Sequence, residues 1–547
     1  MRWPGSFGRR QYDGTANEDV AVFVAEYRSQ GRAGNRAKGK FIMNHSRTRK
    51  SIANLLFSLA DQILVMAVSL VTRTVFIRVF SVRYLGLNAV FGDVLGLLSL
   101  ADLGLGTAMN YSFYRPLAEG DERQLAALTH FYQKLYQYIA AFIAVLGTLM
   151  IPFLPFVVDV EFSDSRLILY YLFSLVQVVV SYLYCSRMAI LSADQKNYIS
   201  TGIGMAVSVL RMIFQLAAML YLKSYIAYLA VGAGCSLFKN ILASRAAFRE
   251  YPFIRQRAEL SSTEKKGIYR NVGSVFLYKV SSLLLNATDN ILISVLVSTV
   301  AVGLYSNYLM LQSRLSGFIS LLFTSLTASV GNLIVKEGVQ RRYEIFQCEQ
   351  TVSFLICAVA VPCYVVLSGD FVSVWLGEEY MLPGLTVYAM GLNLYLGCVL
   401  QPLWSYREAT GLYAQTKWVM TVCAVFNIVL SIVLGMWLGT AGILFASSVS
   451  RLSTYVWYEP RILFRKYFNE NVKLYFRQMI RNVILTAGLT ICLERIGAGF
   501  LAASWNMWFV KAILTGGSCL LVSGVVYGRS EYLALLWRKL KSSLQTS

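Results

Sequence analysis

Histidine is almost absent from this 547-residue chain, which has only His45 and His130. A His-ligated metal centre or a Ser-His-Asp triad therefore has almost no raw material. Charge is scarce too, at 14% of residues against 56% hydrophobic, and the mean hydropathy is +0.54. Those values exclude a single aqueous core. The nine cysteines form no Cys-x-x-Cys pair and lie mostly in apolar runs, so they read as small core residues. The chain has no phosphate-binding glycine loop, no paired carboxylates in an extramembrane loop and no loop long enough for a catalytic domain. It is read as a non-enzyme with no cofactor.

What is present is a series of apolar runs of about twenty residues, the length a helix needs to cross roughly 30 Å of hydrocarbon. The expected fold is an all-α polytopic membrane protein of about fourteen helices. They begin near Asn54, Leu85, Leu125, Leu167, Tyr198, Tyr225, Val272, Val302, Thr351, Leu385, Trp418, Thr440, Asn482 and Trp505. The net charge of +21 sits between these runs and not on an aromatic-interleaved face, so topology explains it and nucleic acid does not. The stretches Arg245 to Arg270 and Arg461 to Arg477 and the tail from Arg529 are rich in Lys and Arg. The alternate connections are short or acidic, with Asp159, Glu161 and Asp164 in one and Asp370, Glu378 and Glu379 in another. Cytoplasmic loops retain basic residues, which puts both termini in the cytoplasm.

Residues 1–50 form a basic, polar segment expected to be disordered, with no apolar h-region of a cleavable signal. Met43, followed by Arg47, Arg49 and Lys50, is an alternative start that would leave residues 1–42 untranslated. The two halves of the remainder resemble each other at an offset of roughly 217 residues. Val82-Arg-Tyr-Leu-Gly-Leu-Asn-Ala-Val-Phe91 lines up with Val300-Ala-Val-Gly-Leu-Tyr-Ser-Asn-Tyr-Leu309, and the turn Ser192 to Tyr198 with Thr410 to Thr416. The expected organisation is two pseudo-symmetric six-helix bundles, 51–244 and 271–460. A basic linker at 245–270 joins them, two extra helices lie within 461–528, and 529–547 is a basic tail. An even number of helices per repeat gives both copies the same orientation.

Ionisable groups inside spans are expensive and become functional suspects. They are Asp61 and Arg73 in the first helix, Asp93 and Asp102 in the second, Lys279 and Asp289 in the seventh, and Arg314 in the eighth. Lys279, Arg314 and Arg73 read as cations that meet phosphate in a polar cavity. The alternative is an intramembrane salt bridge, for example Lys279 with Asp61, which the repeat offset sets opposite one another. Asp61, Asp289, Asp93 and Asp102 are salt-bridge partners or sites for a coupling H⁺ or Na⁺. Arg187, Arg211, Arg451 and Lys511 lie close to span ends and are set aside. Gly92 and Gly96 form a small-xxx-small pair expected to pack helices closely. Trp375, Trp404, Trp457, Trp505 and Trp508 read as an interfacial belt.

Several segments resemble the polysaccharide transporter family of the multidrug/oligosaccharidyl-lipid/polysaccharide exporter (MOP) superfamily, which includes O-antigen and capsule repeat-unit flippases. They are Ala101-Asp-Leu-Gly-Leu-Gly-Thr-Ala-Met109 running into Tyr114 to Asp121, Ser192 to Tyr198, Asp289-Asn-Ile-Leu-Ile-Ser294 with Val302 to Tyr308, and Phe426 to Ser431 with Leu438 to Gly442. Among the suspects only Asp289 falls in a motif matched residue by residue. The resemblance, which runs from about Ser51 to Lys466, implies a V-shaped central cavity, alternating access and outward transport of an undecaprenyl-diphosphate-linked oligosaccharide in a bacterial cytoplasmic membrane. Membrane lipids and the pathway's polymerase and chain-length regulator are the implied partners. The alternatives are a cation-coupled multidrug exporter or a lipid II flippase of the same superfamily, and, from another class, a membrane-embedded polysaccharide polymerase. The outer loops look too small for the last.

Overall fold

The structure, a computed structural model, describes residues 37–99, 105–158, 164–256, 258–336, 338–410, 412–497 and 502–535. Two compact units are distinguished, Met1–Ala53 and Asn54–Ser547, and the packing and the site below belong to the second. Every regular element among the described residues is helical. The helices of eight residues or more are, in chain order, α1 (Ala37–Phe80), α2 (Val82–Leu98), α3 (Leu105–Glu119), α4 (Glu122–Leu149), α5 (Asp164–Tyr182), α6 (Cys185–Ala193), α7 (Asn197–Ala217), α8 (Tyr225–Glu250) and α9 (Ser262–Ala287). There follow α10 (Asp289–Leu296), α11 (Thr299–Lys336), α12 (Val339–Leu376), α13 (Gly384–Val399), α14 (Gln401–Thr410), α15 (Tyr413–Ser453), α16 (Tyr455–Leu463), α17 (Lys473–Gly497) and α18 (Trp505–Tyr527).

Seven stretches of the described residues are long and apolar enough to cross a membrane: Ala53–Phe80, Ser165–Tyr182, Asn197–Leu222, Tyr225–Glu250, Val339–Leu376, Gln415–Phe468 and Trp505–Tyr527. The number is nine if two bent pairs each count as one span, Glu122–Leu149 with Ile151–Val157 and Gly384–Val399 with Gln401–Thr410. The chain is a multi-pass helical membrane protein. The sequence expectation of about fourteen is larger, although each expected start lies inside a helix. Helices also begin earlier than their apolar runs, α12 at Val339 and not at Thr351. Hydropathy marks only the hydrocarbon-embedded part, and the polar turns outside it remain helical. Gln415–Phe468 is far too long for one crossing. It breaks at Gly439, whose φ of 57° and ψ of −137° interrupt α15 between the expected starts at Trp418 and Thr440. Only glycine adopts that conformation without strain.

Local chemistry sets several helix starts. Asp121 accepts from the Gln124 backbone N–H at 2.9 Å to begin α4. Ser261 and Glu264 form a reciprocal capping box at the head of α9. Lys223 and Asn469, both left-handed, follow the ends of the segments before them.

A close helix approach joins the two halves. A Cβ on Gly86 of α2 would collide with the Thr299 carbonyl oxygen at the start of α11, and one on Gly303 would collide with the Val82 carbonyl oxygen. Gly86 and Gly303 stand 217 positions apart, as do Val82 and Thr299. The contact is therefore reciprocal, and its register is one residue tighter than the alignment of Val82 with Val300. Gly92 and Gly96 do not serve as the expected packing pair, because a Cβ at either meets nothing within 4 Å.

The last two helices are fastened to the second half. Asn482 of α17, fully buried, accepts from Tyr395 at 2.9 Å, donates to the Phe354 carbonyl at 3.0 Å and bonds the Tyr527 hydroxyl at 2.8 Å. Lys511 of α18 is a correction to its reading as a span-end residue: it is buried and paired with Asp370 of α12 at 2.7 Å. Asp370 is correspondingly helical and not part of an outer loop. The tryptophans depart from a simple belt as well. Trp375 donates to Thr74 Oγ1 at 2.7 Å and Trp508 to the Leu367 carbonyl at 3.1 Å.

Candidate functional site

Helices of the second half enclose a cavity of about 490 Å³. α9 contributes Tyr278, Ser282 and Leu285 at i, i+4 and i+7, one face of a helix. The break at Thr288 then turns Asp289 and Asn290 of α10 into the wall. α11 presents Tyr305, Leu309, Gln312, Ser316 and Ile319, again at three- and four-residue spacing. α13 supplies Met390, Asn393 and Gly397. After a 42° bend, α14 supplies Gln401, Trp404 and Arg407. α15 and α16 complete the wall with Met420, Leu444, Arg451 and Tyr455.

Two arginines border this space. Arg407 donates from Nη1 to Glu459 Oε1 at 2.8 Å, in a pair whose two members are almost fully buried. Its guanidinium also lies 4.7 Å from the centre of the Tyr278 ring. Such a desolvated pair has one hydrogen bond and a ring contact to offset the loss of hydration, and it leaves Arg407 Nε and Glu459 Oε2 buried without a partner. Arg451 lies near Asp289 and lines the cavity, so its dismissal as a span-end residue is corrected. Arg407, Glu459, Gln401 and Asn393 were missed in the sequence. The signal for two of them was the i, i+3, i+6 row Gln401, Trp404 and Arg407, in which Trp404 faces the cavity and does not belong to a surface belt.

The suspects fall into two groups. Asp93 and Asp289 come together: Asn290 Nδ2 donates to Asp93 Oδ2 at 2.8 Å, while the Asp289 carboxylate accepts from Ser447 Oγ at 3.3 Å. Asn427 Nδ2 donates to the same Ser447 hydroxyl at 3.1 Å, so a carboxylate, a hydroxyl and an amide N–H converge there. Arg73 and Arg314 form the second group. Arg73 Nη1 donates to the Ser306 carbonyl at 2.6 Å and to Asn307 Oδ1 at 3.2 Å, which ties α1 to α11. Arg314 is the electrostatic neighbour of Arg73, and its Nε is buried without a hydrogen-bond partner. Neither arginine pairs with a carboxylate among the described residues. Arg211, set aside in the sequence, joins them through Tyr228, which neighbours both Arg73 and Arg211.

The pair of Asp61 with Lys279 does not form, because Asp61 makes no ion pair with a described residue; the offset that aligns two sequences does not bring their side chains within reach. Lys279 is half-buried on α9, outside the lining residues. Asp102 lies outside the described residues, and so do the first residues of the motif that begins at Ala101. No cluster of three metal-ligating side chains occurs among the described residues.

No protein family and no curated protein matches this chain by sequence. Its fold is matched by solved structures. The lipid II flippase MurJ in an inward closed conformation is 14% identical, with 87% of this chain and 99% of that one covered, at a TM-score of 0.63. An inward-facing multidrug resistance transporter of the MATE family is 15% identical, with 75% and 98% covered, at 0.53. A MOP superfamily transporter from Pyrococcus furiosus, described as having a binding pocket of reverse polarity, is 13% identical, with 78% and 96% covered, at 0.53. The chain has the fold of MOP superfamily membrane transporters.

Proposed function

We propose that this protein is a flippase that carries undecaprenyl-diphosphate-linked oligosaccharide repeat units from the cytoplasmic to the outer face of a bacterial cytoplasmic membrane, by alternating access, for capsule, exopolysaccharide or O-antigen assembly. The observation that carries the reading is that Arg73 and Arg314 are electrostatic neighbours and that neither pairs with a carboxylate among the described residues. Two like charges near one another in a half-buried site repel unless an anion joins them, and guanidinium forks match the oxygens of a diphosphate. An exporter of cationic drugs would have acidic groups there. The protein's task is to shelter diphosphate and hydrated sugars while the lipid tail stays in the bilayer, and that task needs cations and polar walls but no catalyst.

Asp289, with Ser447 and Asn427, is proposed as the place where a coupling H⁺ or Na⁺ binds. The two halves act as six-helix bundles rocking about the pseudo-symmetric Gly86–Gly303 contact, with both termini in the cytoplasm and the pathway's polymerase and chain-length regulator as partners. The test is to delete the gene and assay surface polymer together with lipid-linked repeat units in spheroplasts. Complete repeat units stranded on the cytoplasmic face, with polymer lost, are expected. Normal polymer with new sensitivity to cationic dyes would instead mark a drug exporter, and repeat units stranded outside would mark a polymerase.

A further inference from the structure

The second-half cavity and the arginine pair use opposite faces of α11. Tyr305, Leu309, Gln312, Ser316 and Ile319 point one way, whereas Gly303, Asn307 and Arg314 lie roughly half a helical turn around, at about 100° per residue. The cavity is thus a compartment of its own, separated from the arginine pair by one helix. At about 490 Å³ it falls among small-molecule sites, which run from roughly 300 to 1,000 Å³.

Its walls are chemically distinctive. Six neutral polar side chains that line it, Tyr278, Tyr305, Ser316, Gln401, Trp404 and Tyr455, make no side-chain hydrogen bond to a described residue. None of their polar atoms is among the buried atoms left without a partner, so they remain open to an occupant. Hydroxyls and an amide both donate and accept, and the indole N–H only donates. A phosphate, which chiefly accepts, leaves the amide and hydroxyl donors satisfied but their acceptors idle. An alkylammonium does the reverse. A ring that carries several hydroxyls satisfies both, and its C–H face lies against an aromatic ring. The Trp404 ring makes no contact with another described ring, so its face is available for that role.

We infer that this cavity is a carbohydrate-binding chamber, taking one or two neutral sugar rings through Trp404, Gln401 and the tyrosine hydroxyls, while the diphosphate is held elsewhere, at Arg73 and Arg314. The inference rests on the flippase reading for its source of sugar, the glycan of the lipid-linked cargo. A free soluble sugar has the same chemistry.

The test uses the full-length protein in phospholipid nanodiscs, with three probes: undecaprenyl-diphosphate-linked N-acetylglucosamine, inorganic pyrophosphate and maltose. In Trp404→Ala and Gln401→Ala, binding of the lipid-linked sugar is expected to weaken about tenfold, while pyrophosphate binding, which also reports intact folding, stays at the wild-type level. Saturable maltose binding that is lost in Trp404→Ala supports the chamber and assigns it to free sugar. Equal binding of the lipid-linked sugar by wild type and both variants, with maltose inert, overturns the inference and leaves the chamber filled by water. Sugar binding that depends on Trp404 in a protein whose gene deletion leaves polymer normal upholds the chamber and removes the flippase reading instead.

Discussion

Lys511 and Asp370 form a buried ion pair: Nζ donates to Oδ2 at 2.7 Å, and the Gly497 carbonyl accepts from the same nitrogen at 3.4 Å. The pair joins α18 to α12, so the last helix is held by a charge contact and not only by lipid-facing packing. Removing one member strands the other charge out of water, an effect of about 3–5 kcal/mol. Lys511→Met is expected to lower the thermal midpoint in detergent sharply, and Lys511→Met with Asp370→Leu to restore most of it. If the double variant is no more stable than the single one, the pair has no coupling.

How much of this was legible in the sequence depends on the range of the interaction. The multi-pass helical character came through because the hydrocarbon thickness imposes an apolar length that a run of about twenty residues reveals. Arg73, Arg314, Asp93 and Asp289 could be singled out because a charge inside such a run stands out, and the structure groups them as two pairs. Arg407 could not, because its counter-charge Glu459 lies 52 positions away and each residue taken alone resembles a loop-flanking charge. Asp370 and Lys511 were misread as loop and span-end residues for the same reason, at a separation of 141. The face that Trp404 presents depends on the bend between α13 and α14, which hydropathy does not register.

The reciprocal glycine contact gives a prediction with its own control. Gly86→Val or Gly303→Val pushes a side chain into a carbonyl of the facing helix, which neither backbone can yield cheaply, and overpacking of this kind costs about 1–3 kcal/mol or more. Gly92→Ala and Gly96→Ala, in open space on the same helix as Gly86, are expected to keep wild-type stability. Equal midpoints for all four would contradict the close approach.

Outside the membrane, the capping box at the head of α9 titrates. Hydrogen bonds from the Ser261 hydroxyl and backbone N–H, at 2.7 and 2.9 Å, hold the Glu264 carboxyl below its ordinary value. A depressed carboxyl contributes stability above its unfolded value of about 4.3, and that contribution is lost as pH falls through the lower folded value. Amide protection in the first turn of α9 is expected to be flat from about pH 8 to 5 and to fall below about pH 4, with the acid-dependent step absent in Glu264→Gln. A step centred near neutrality would rule out the capping box as its source.

Arg314 offers the sharpest separation of function from stability. It makes no hydrogen bond or ion pair with a described residue, so Arg314→Ala removes no native partner and relieves repulsion on Arg73. Its thermal midpoint is expected to stay at or above wild type, within about 1 kcal/mol. Arg73→Ala loses the contacts to Ser306 and Asn307 that tie α1 to α11 and is expected to be less stable. Both variants should abolish surface polysaccharide. Lys279→Ala, tested alongside, should do the same at normal protein levels if Lys279 meets phosphate, and should lose protein if it only holds helices together. Arg314→Lys keeps the charge but not the fork, and partial complementation is expected from it because a point charge still attracts a diphosphate. Full complementation by Arg314→Ala would mean that the diphosphate is bound without it, and the observation on which the flippase reading rests would lose its meaning.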